Sequence, residues 1–171
     1  MTQTRVVRAR LGWVLLVTLL LFLVTAQIGP KAEISTGQPI AFSHRIHATE
    51  YKISCQYCHI YAERSPVAGV PSVKTCMGCH DLIGTDKPEI ENLTRFWEER
   101  RPIEWVKIYD LPDFVRFTHK RHVRAGVACQ ECHGPVETME RVVRVSDLTM
   151  GWCLGCHLER KAEIDCLICH Y

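Results

Sequence analysis

Hydrophobic residues are spread very unevenly along this chain. Positions 11 to 28, LGWVLLVTLLLFLVTAQI, hold no charge. Eighteen residues of helix span about 27 Å, enough to cross a hydrocarbon core. Beyond that run a single segment has helical periodicity. From Asp86 to Arg101, Ile90, Leu93 and Trp97 line one face. Asp86 stands where it would cap that helix, with Glu89 completing a capping box, and Pro88 fits the first turn. Arg100 and Arg101 suit its C-terminal end, and Pro102 stops it. The next stretch, PIEWVKIYDLPDFV, mixes β-branched and aromatic residues with prolines. That pattern predicts extended chain, laid over a core or against a partner, with a plain buried linker as the alternative.

Flanking charge orients the apolar run. Arg5, Arg8 and Arg10 precede it and no basic residue follows until Lys31. The positive-inside rule puts residues 1–10 in the cytoplasm and everything after Pro30 outside, with 11–28 as a single-pass anchor. A cleaved signal peptide ending near Val24-Thr25-Ala26 is the alternative.

Cysteine changes the picture most. All ten cysteines fall in five Cys-x-x-Cys-His motifs: Cys55, Cys58 and His59; Cys76, Cys79 and His80; Cys129, Cys132 and His133; Cys153, Cys156 and His157; Cys166, Cys169 and His170. This is the pattern of covalent haem c attachment: two thiols for the vinyl groups and a histidine for the proximal face of the iron. A disulfide framework has no use for histidine after every second cysteine. Zinc sites do not need one after all five pairs, and a thioredoxin-like motif occurs once rather than five times. Five haems c, held by those ten thiols and five histidines, are the expectation.

Only four other histidines exist. His44 and His47 lie in AFSHRIH, His119 and His122 in RFTHKRH. Both stretches read Phe-x-His-x-x-His, and each runs directly into a haem motif, so the chain contains an internal repeat. Residues at i and i+3 of a helical turn point in similar directions, so one turn can serve two adjacent irons. These four histidines are therefore candidate distal ligands. Phe42 and Phe117 are expected to pack on porphyrin faces or in an ordinary core.

Five haems over about 140 residues leave too little chain for an ordinary core. The expected fold is mostly irregular and α-helical, with short helices and long loops wrapped round a haem stack. It should not form without haem. The organisation follows: 1–10 cytoplasmic, 11–28 anchor, 29–84 a two-haem unit, 85–116 a helix and extended spacer, 117–171 a three-haem unit. The formal charge of +2 includes +3 from the first three arginines. With the haem propionates added, the haem domain is acidic, and no basic stripe with interleaved aromatics points to nucleic acid.

The anchor, FSHRIH, CQYCH, CMGCH, PIEWVKIYDLPDFVRFTHKRH, GVACQECHG and LTMGWCLGCH together resemble the pentahaem cytochrome subunit of bacterial alternative complex III. Each haem unit is also similar to the class III (c3 and c7) cytochromes. The first resemblance covers nearly the whole chain. It implies a quinol-oxidising complex that passes electrons to a periplasmic acceptor. The implied partners are an iron–sulfur subunit, polytopic quinol-binding membrane subunits and a monohaem cytochrome. The small cytochromes imply the ligand pairs His119 with His133 and His122 with His157, and by analogy His44 with His59 and His47 with His80. They also imply a ligand just ahead of the middle motif of the three-haem unit, directed at the last haem. Met150 stands there in this chain, which assigns Met150 with His170 to the fifth iron. Met139 and an open iron are the competing readings.

An electron-transfer subunit without a catalytic site of its own is the leading functional reading, since six-coordinate iron has no position for substrate. One alternative is a self-sufficient quinol dehydrogenase of the NapC/NrfH type. That type shares the single N-terminal helix, but the duplicated Phe-x-His-x-x-His is not expected of it. A multihaem oxyanion reductase, the other alternative, would need a five-coordinate, high-spin haem.

Overall fold

The computed structural model describes residues 37–171 and, ahead of them, Thr18 alone. The expected anchor at 11–28 and the cytoplasmic residues 1–10 lie outside the described residues. Among the described residues no helix is long and apolar enough to cross a membrane.

A π-helical turn, Arg45–Glu50, comes first. Then follow α1 (Cys55–Cys58), α2 (Val73–His80), α3 (Pro88–Glu98), α4 (His119–Arg124), α5 (Cys129–His133), a 3-10 turn at Val136–Thr138, α6 (Met150–Glu159) and α7 (Cys166–Cys169). No strand forms among the described residues; Val115 and His170 make an isolated antiparallel bridge. This is the mostly helical and irregular fold expected, and nearly every helix carries chemistry. Helices α1, α5 and α7 begin on the first cysteine of a motif, and α2 and α6 run through one. One turn of helix sets cysteines three residues apart on the same face. Side chains start two of these helices: Thr149 accepts from the Trp152 amide at 3.3 Å, and Asp165 from the Leu167 amide at 2.8 Å.

Helix α3 is shorter than its periodicity suggested. Its N-cap is Lys87, with no side-chain cap bond, and Pro88 opens the helix. Asp86 therefore caps nothing. Proline forces the residue before it into extended backbone, and Lys87 has ψ 136°, so the helix cannot start earlier. At the other end Glu99 closes the helix and Arg100 turns left-handed at φ 52°. Arg100 and Arg101 lie beyond it. The turn brings Arg101 back over the Phe96 ring, 4.8 Å from its centroid. It also sets Ile103 and Trp105 against the core. Phe96, not Trp97, completes the buried stripe with Ile90 and Leu93, and Trp97 is exposed.

That core is small: among the described residues Ile40, Val73, Met77 and Leu93 are the buried hydrophobic ones, where α2 packs on α3. Asn92 anchors the incoming chain by donating to the Pro39 carbonyl at 2.9 Å. Gln38 pairs with Val106 through both its carboxamide atoms, at 2.9 and 3.0 Å. The extended spacer is thereby stitched to the start of the described chain. Many large apolar side chains elsewhere stay exposed, among them Tyr57, Val67, Leu82 and Leu167. Four buried residues cannot hold a body of this size together by hydrophobic burial alone.

Candidate functional site

Eight of the nine histidines are arranged in facing pairs. His44 faces His59 with ring centroids 6.5 Å apart, and His119 faces His133 at 6.3 Å. His47 faces His80 at 5.9 Å, and His122 faces His157 at 6.0 Å. Four of the five proximal candidates are thus matched with one candidate each from a Phe-x-His-x-x-His turn, in the four pairs implied by the resemblance; His170 has no partner from either turn. The spacing is informative. Phenylalanines that touch the same histidines do so at 4.4 to 4.9 Å. Two imidazoles bound to one iron, through a nitrogen–metal bond of about 2 Å on either side, hold their centroids about 6 to 6.5 Å apart. The chain sets its histidine pairs at the separation a metal needs, not at contact.

Tautomers agree with that reading. The Nδ1–H of His47 donates to the Ser43 carbonyl (2.8 Å), and that of His122 to Thr118 (2.9 Å). His59 donates to Gly69 (2.6 Å), His80 to Ile83 (2.9 Å), His119 to Pro66 (2.8 Å) and His157 to Glu163 (2.6 Å). A carbonyl only accepts, so Nδ1 carries a proton, which leaves Nε2 as the nitrogen a metal would take. This is the orientation that readies an imidazole for iron and raises its basicity. The Nδ1 atom of His44 is buried and finds no partner. Burial, with His59, His47 and His133 nearby, lowers the His44 pKa to about 4. Burial also lowers that of His133, helped by His119 and His59. Burial thus favours the neutral form of both rings, the form a ligand needs.

Phe42 and Phe117 do something more specific than either expected role. Each stacks on the second histidine of its turn, at 4.4 and 4.6 Å. Each also meets the first edge-on, at 4.9 Å in both copies. One aromatic ring therefore fixes the planes of two imidazoles. The two turns differ in one respect: one more residue separates His44 from Cys55 than separates His119 from Cys129. The surplus is absorbed as a π-helical turn at Arg45–Glu50, where the second copy has a plain α-turn.

Sequence reasoning missed Tyr109. From the spacer it packs edge-on against His133, with ring centroids 4.4 Å apart. Its hydroxyl donates to the Val143 carbonyl (3.3 Å) and accepts from the Val145 amide (3.2 Å). No motif marks it; an aromatic in a stretch expected to be extended was the available signal. The spacer also supplies Phe114, 5.9 Å from His170 and 24° from coplanar. Met150 opens α6 and is 64% exposed. Met139 follows the 3-10 turn, and its carbonyl accepts from the Arg45 amide.

The thiols complete the picture. Cys58 lies near Cys79 and Cys76, Cys129 lies near Cys55, Cys132 neighbours Cys156 and Cys153, and Cys153 neighbours Cys169. Burial raises the pKa of each thiol named first in those pairs. Ten cysteines, none in a disulfide, and histidine pairs at metal spacing fit haem c.

Comparison with known proteins agrees. Residues 115–171 match the family described as cytochrome c7 and related cytochrome c. Residues 23–107 match the class III cytochrome C family. A similar curated protein is the multiheme cytochrome c subunit of menaquinone reductase from Nitratidesulfovibrio vulgaris. It is 32% identical over 135 residues, which cover 78% of this chain and 57% of the relative. The chain therefore spans a little over half of that relative's length. Both matched stretches are of multihaem c-type cytochromes, families that bind haem c covalently.

Proposed function

We propose that this multihaem c-type cytochrome carries five haems c and passes electrons within a quinone-linked membrane complex, of which alternative complex III is the type suggested by its motifs. One observation carries the reading: four histidine pairs, each 5.9 to 6.5 Å between ring centroids. Paired axial imidazoles leave no position for a substrate, so those sites suit electron transfer and not small-molecule chemistry.

In this proposal the five cysteine pairs hold the haems, His59, His80, His133, His157 and His170 are proximal ligands, and His44, His47, His119 and His122 are distal. Met150 is assigned to the fifth iron. Haem c supplies a one-electron iron couple. The chain supplies the rest. Carbonyl-bonded Nδ1 atoms make Nε2 a stronger donor, which favours ferric iron and lowers the potential. Phe42 and Phe117 fix the ring planes. Residues 11–28 anchor the domain on the outer face of the cytoplasmic membrane. Quinone chemistry, with its two electrons and two protons, belongs to partner subunits: an iron–sulfur protein, quinone-binding membrane subunits and a monohaem cytochrome that leads to a periplasmic acceptor.

A second reading reverses the direction. The menaquinone reductase relative favours delivery of electrons toward a quinone. Anaerobic mixing of the complex, purified in mild detergent, decides between them. Rapid haem reduction by a menaquinol analogue supports quinol oxidation. Rapid reoxidation of pre-reduced haem by a menaquinone analogue, without the converse, supports quinone reduction. Reduction of the isolated subunit alone by the quinol would instead make it a self-sufficient quinol dehydrogenase.

A further inference from the structure

The two Phe-x-His-x-x-His copies do not fold as separate units. Each is braced by the other. The Arg45 amide donates to the Met139 carbonyl at 3.1 Å; Lys120, the equivalent residue of the second copy, donates to the Ser65 carbonyl at 3.1 Å. Ser65 stands as far beyond His59 as Met139 stands beyond His133. Thr49 Oγ1 adds a bond to the Glu137 carbonyl at 2.6 Å, and the Arg45 guanidinium bridges Glu140 and Glu50. On the other side, His119 makes two bonds to the Pro66 carbonyl, from its amide (3.0 Å) and its Nδ1 (2.8 Å). The loops that provide these braces are themselves built alike. Gln56 donates to Glu63 in one and Gln130 to Glu137 in the other, both at 3.0 Å. So the ligand turn of each copy rests on the loop leaving the attachment motif of its mate. Reciprocal contacts between equivalent positions define a local two-fold axis.

Such an axis brings the first motif of each copy together. Cys55 and Cys129 lie close together there, and His133 lies near both His44 and His59. The remaining motifs extend outward, with 76–80 beside 55–59 on one side. On the other side 153–157 sits beside 129–133, and 166–170 beside 153–157.

We infer that the two copies form one interlocked body about this axis. Its attachment motifs are ordered 76–80, 55–59, 129–133, 153–157, 166–170, and the copies meet at Cys55 and Cys129. Spatial order thus departs from sequence order, in which 76–80 precedes 129–133. Resting on the electron-carrier reading, the consequence is that the outermost motifs, 76–80 and 166–170, are the ends that partners address. One electron taken from a reduced partner at one end is given to an oxidised partner at the other, and the chain is left in its starting state. The crossing between copies has a single location.

Proximity is measurable without any partner or quinone, so the result is independent of the quinone-linked reading. In the fully reduced, diamagnetic holoprotein, nuclear Overhauser contacts between haem substituents report which haems adjoin. Haems are assigned by contacts from their own axial histidines. We expect contacts between the haems of 55–59 and 129–133 and none between those of 76–80 and 129–133. A contact between 76–80 and 129–133, or none between 55–59 and 129–133, overturns the order. The brace has its own readout in Arg45→Gln and Thr49→Val, which leave every proposed ligand in place. Both should shift the low-spin electron paramagnetic resonance signals of the irons served by His44 and His47. Unchanged signals in both variants would overturn the brace.

Discussion

The rings of His44 and His59 lie within 2° of parallel, whereas the next pair along the same turn, His47 and His80, is inclined by 67°. The second copy repeats the contrast: His119 and His133 are 10° apart, His122 and His157 are 47° apart. The cause is local. Phe42 and Phe117 meet the first histidine of each turn edge-on and stack on the second, so the two rings of a turn are held at very different angles.

That contrast predicts two kinds of low-spin ferric haem. Parallel axial imidazole planes give a rhombic resonance, and steeply inclined planes a more anisotropic one with a larger maximal g value. Low-temperature electron paramagnetic resonance of the oxidised protein should show both. His44→Ala should remove a rhombic component and His47→Ala an anisotropic one. Four signals of one type would contradict the ring geometry.

Met150 is tested at the fifth iron. A thioether favours ferrous iron more than a second imidazole does, so this haem should be the most oxidising of the set. Met150→His should lower its potential and keep it low-spin. Met150→Ala should open the iron to carbon monoxide and cyanide. A redox titration unchanged by Met150→Ala removes Met150 as the ligand. Met139→Ala is then the next variant, and an iron already open in the unaltered protein would leave Phe114 as the neighbouring ring on His170.

Gly69 sets the partner of His59. Its φ is +76°, and its carbonyl accepts the Nδ1–H of His59. A Cβ there would sit 2.9 Å from Cδ2 of Tyr61, a side chain exposed enough to move aside. Backbone strain is therefore the main effect of Gly69→Ala, a loss of about 1–2 kcal/mol. Weakening the carbonyl bond also lowers imidazole basicity and should raise the midpoint potential of the iron held by His59. Denaturant unfolding and a redox titration check the two effects.

Phe117→Ala should loosen the second ligand turn, where its ring contacts both His119 and His122. Truncating a buried phenylalanine costs about 3–5 kcal/mol, and this half-buried ring should fall at or below the low end. The distinguishing sign is spectroscopic. Signals from the irons of His119 and His122 should both broaden, while those of His44 and His47 stay sharp. Equal broadening of all four would mean general loosening.

The repeat was legible because it rests on residue identity at fixed spacing, and the four histidine pairs, implied by the resemblance to the small cytochromes, do face one another. The small core and sparse secondary structure followed from the ratio of motifs to chain length. Tyr109 was not legible, since its role depends on the spacer folding back on His133. Nor was the exchange of braces between copies, which uses backbone groups that any residue supplies. The end of α3 was misplaced because a left-handed Arg100, a conformation that periodicity does not encode, turns the chain at Glu99.

The central claim is that all ten cysteines hold haem. Denaturing mass spectrometry of the matured protein tests it most directly, because thioether bonds survive unfolding. The mass should equal the mature polypeptide plus five haems, with no free thiol open to alkylation. Four haems or fewer, or a pair of cysteines that alkylates, would contradict it.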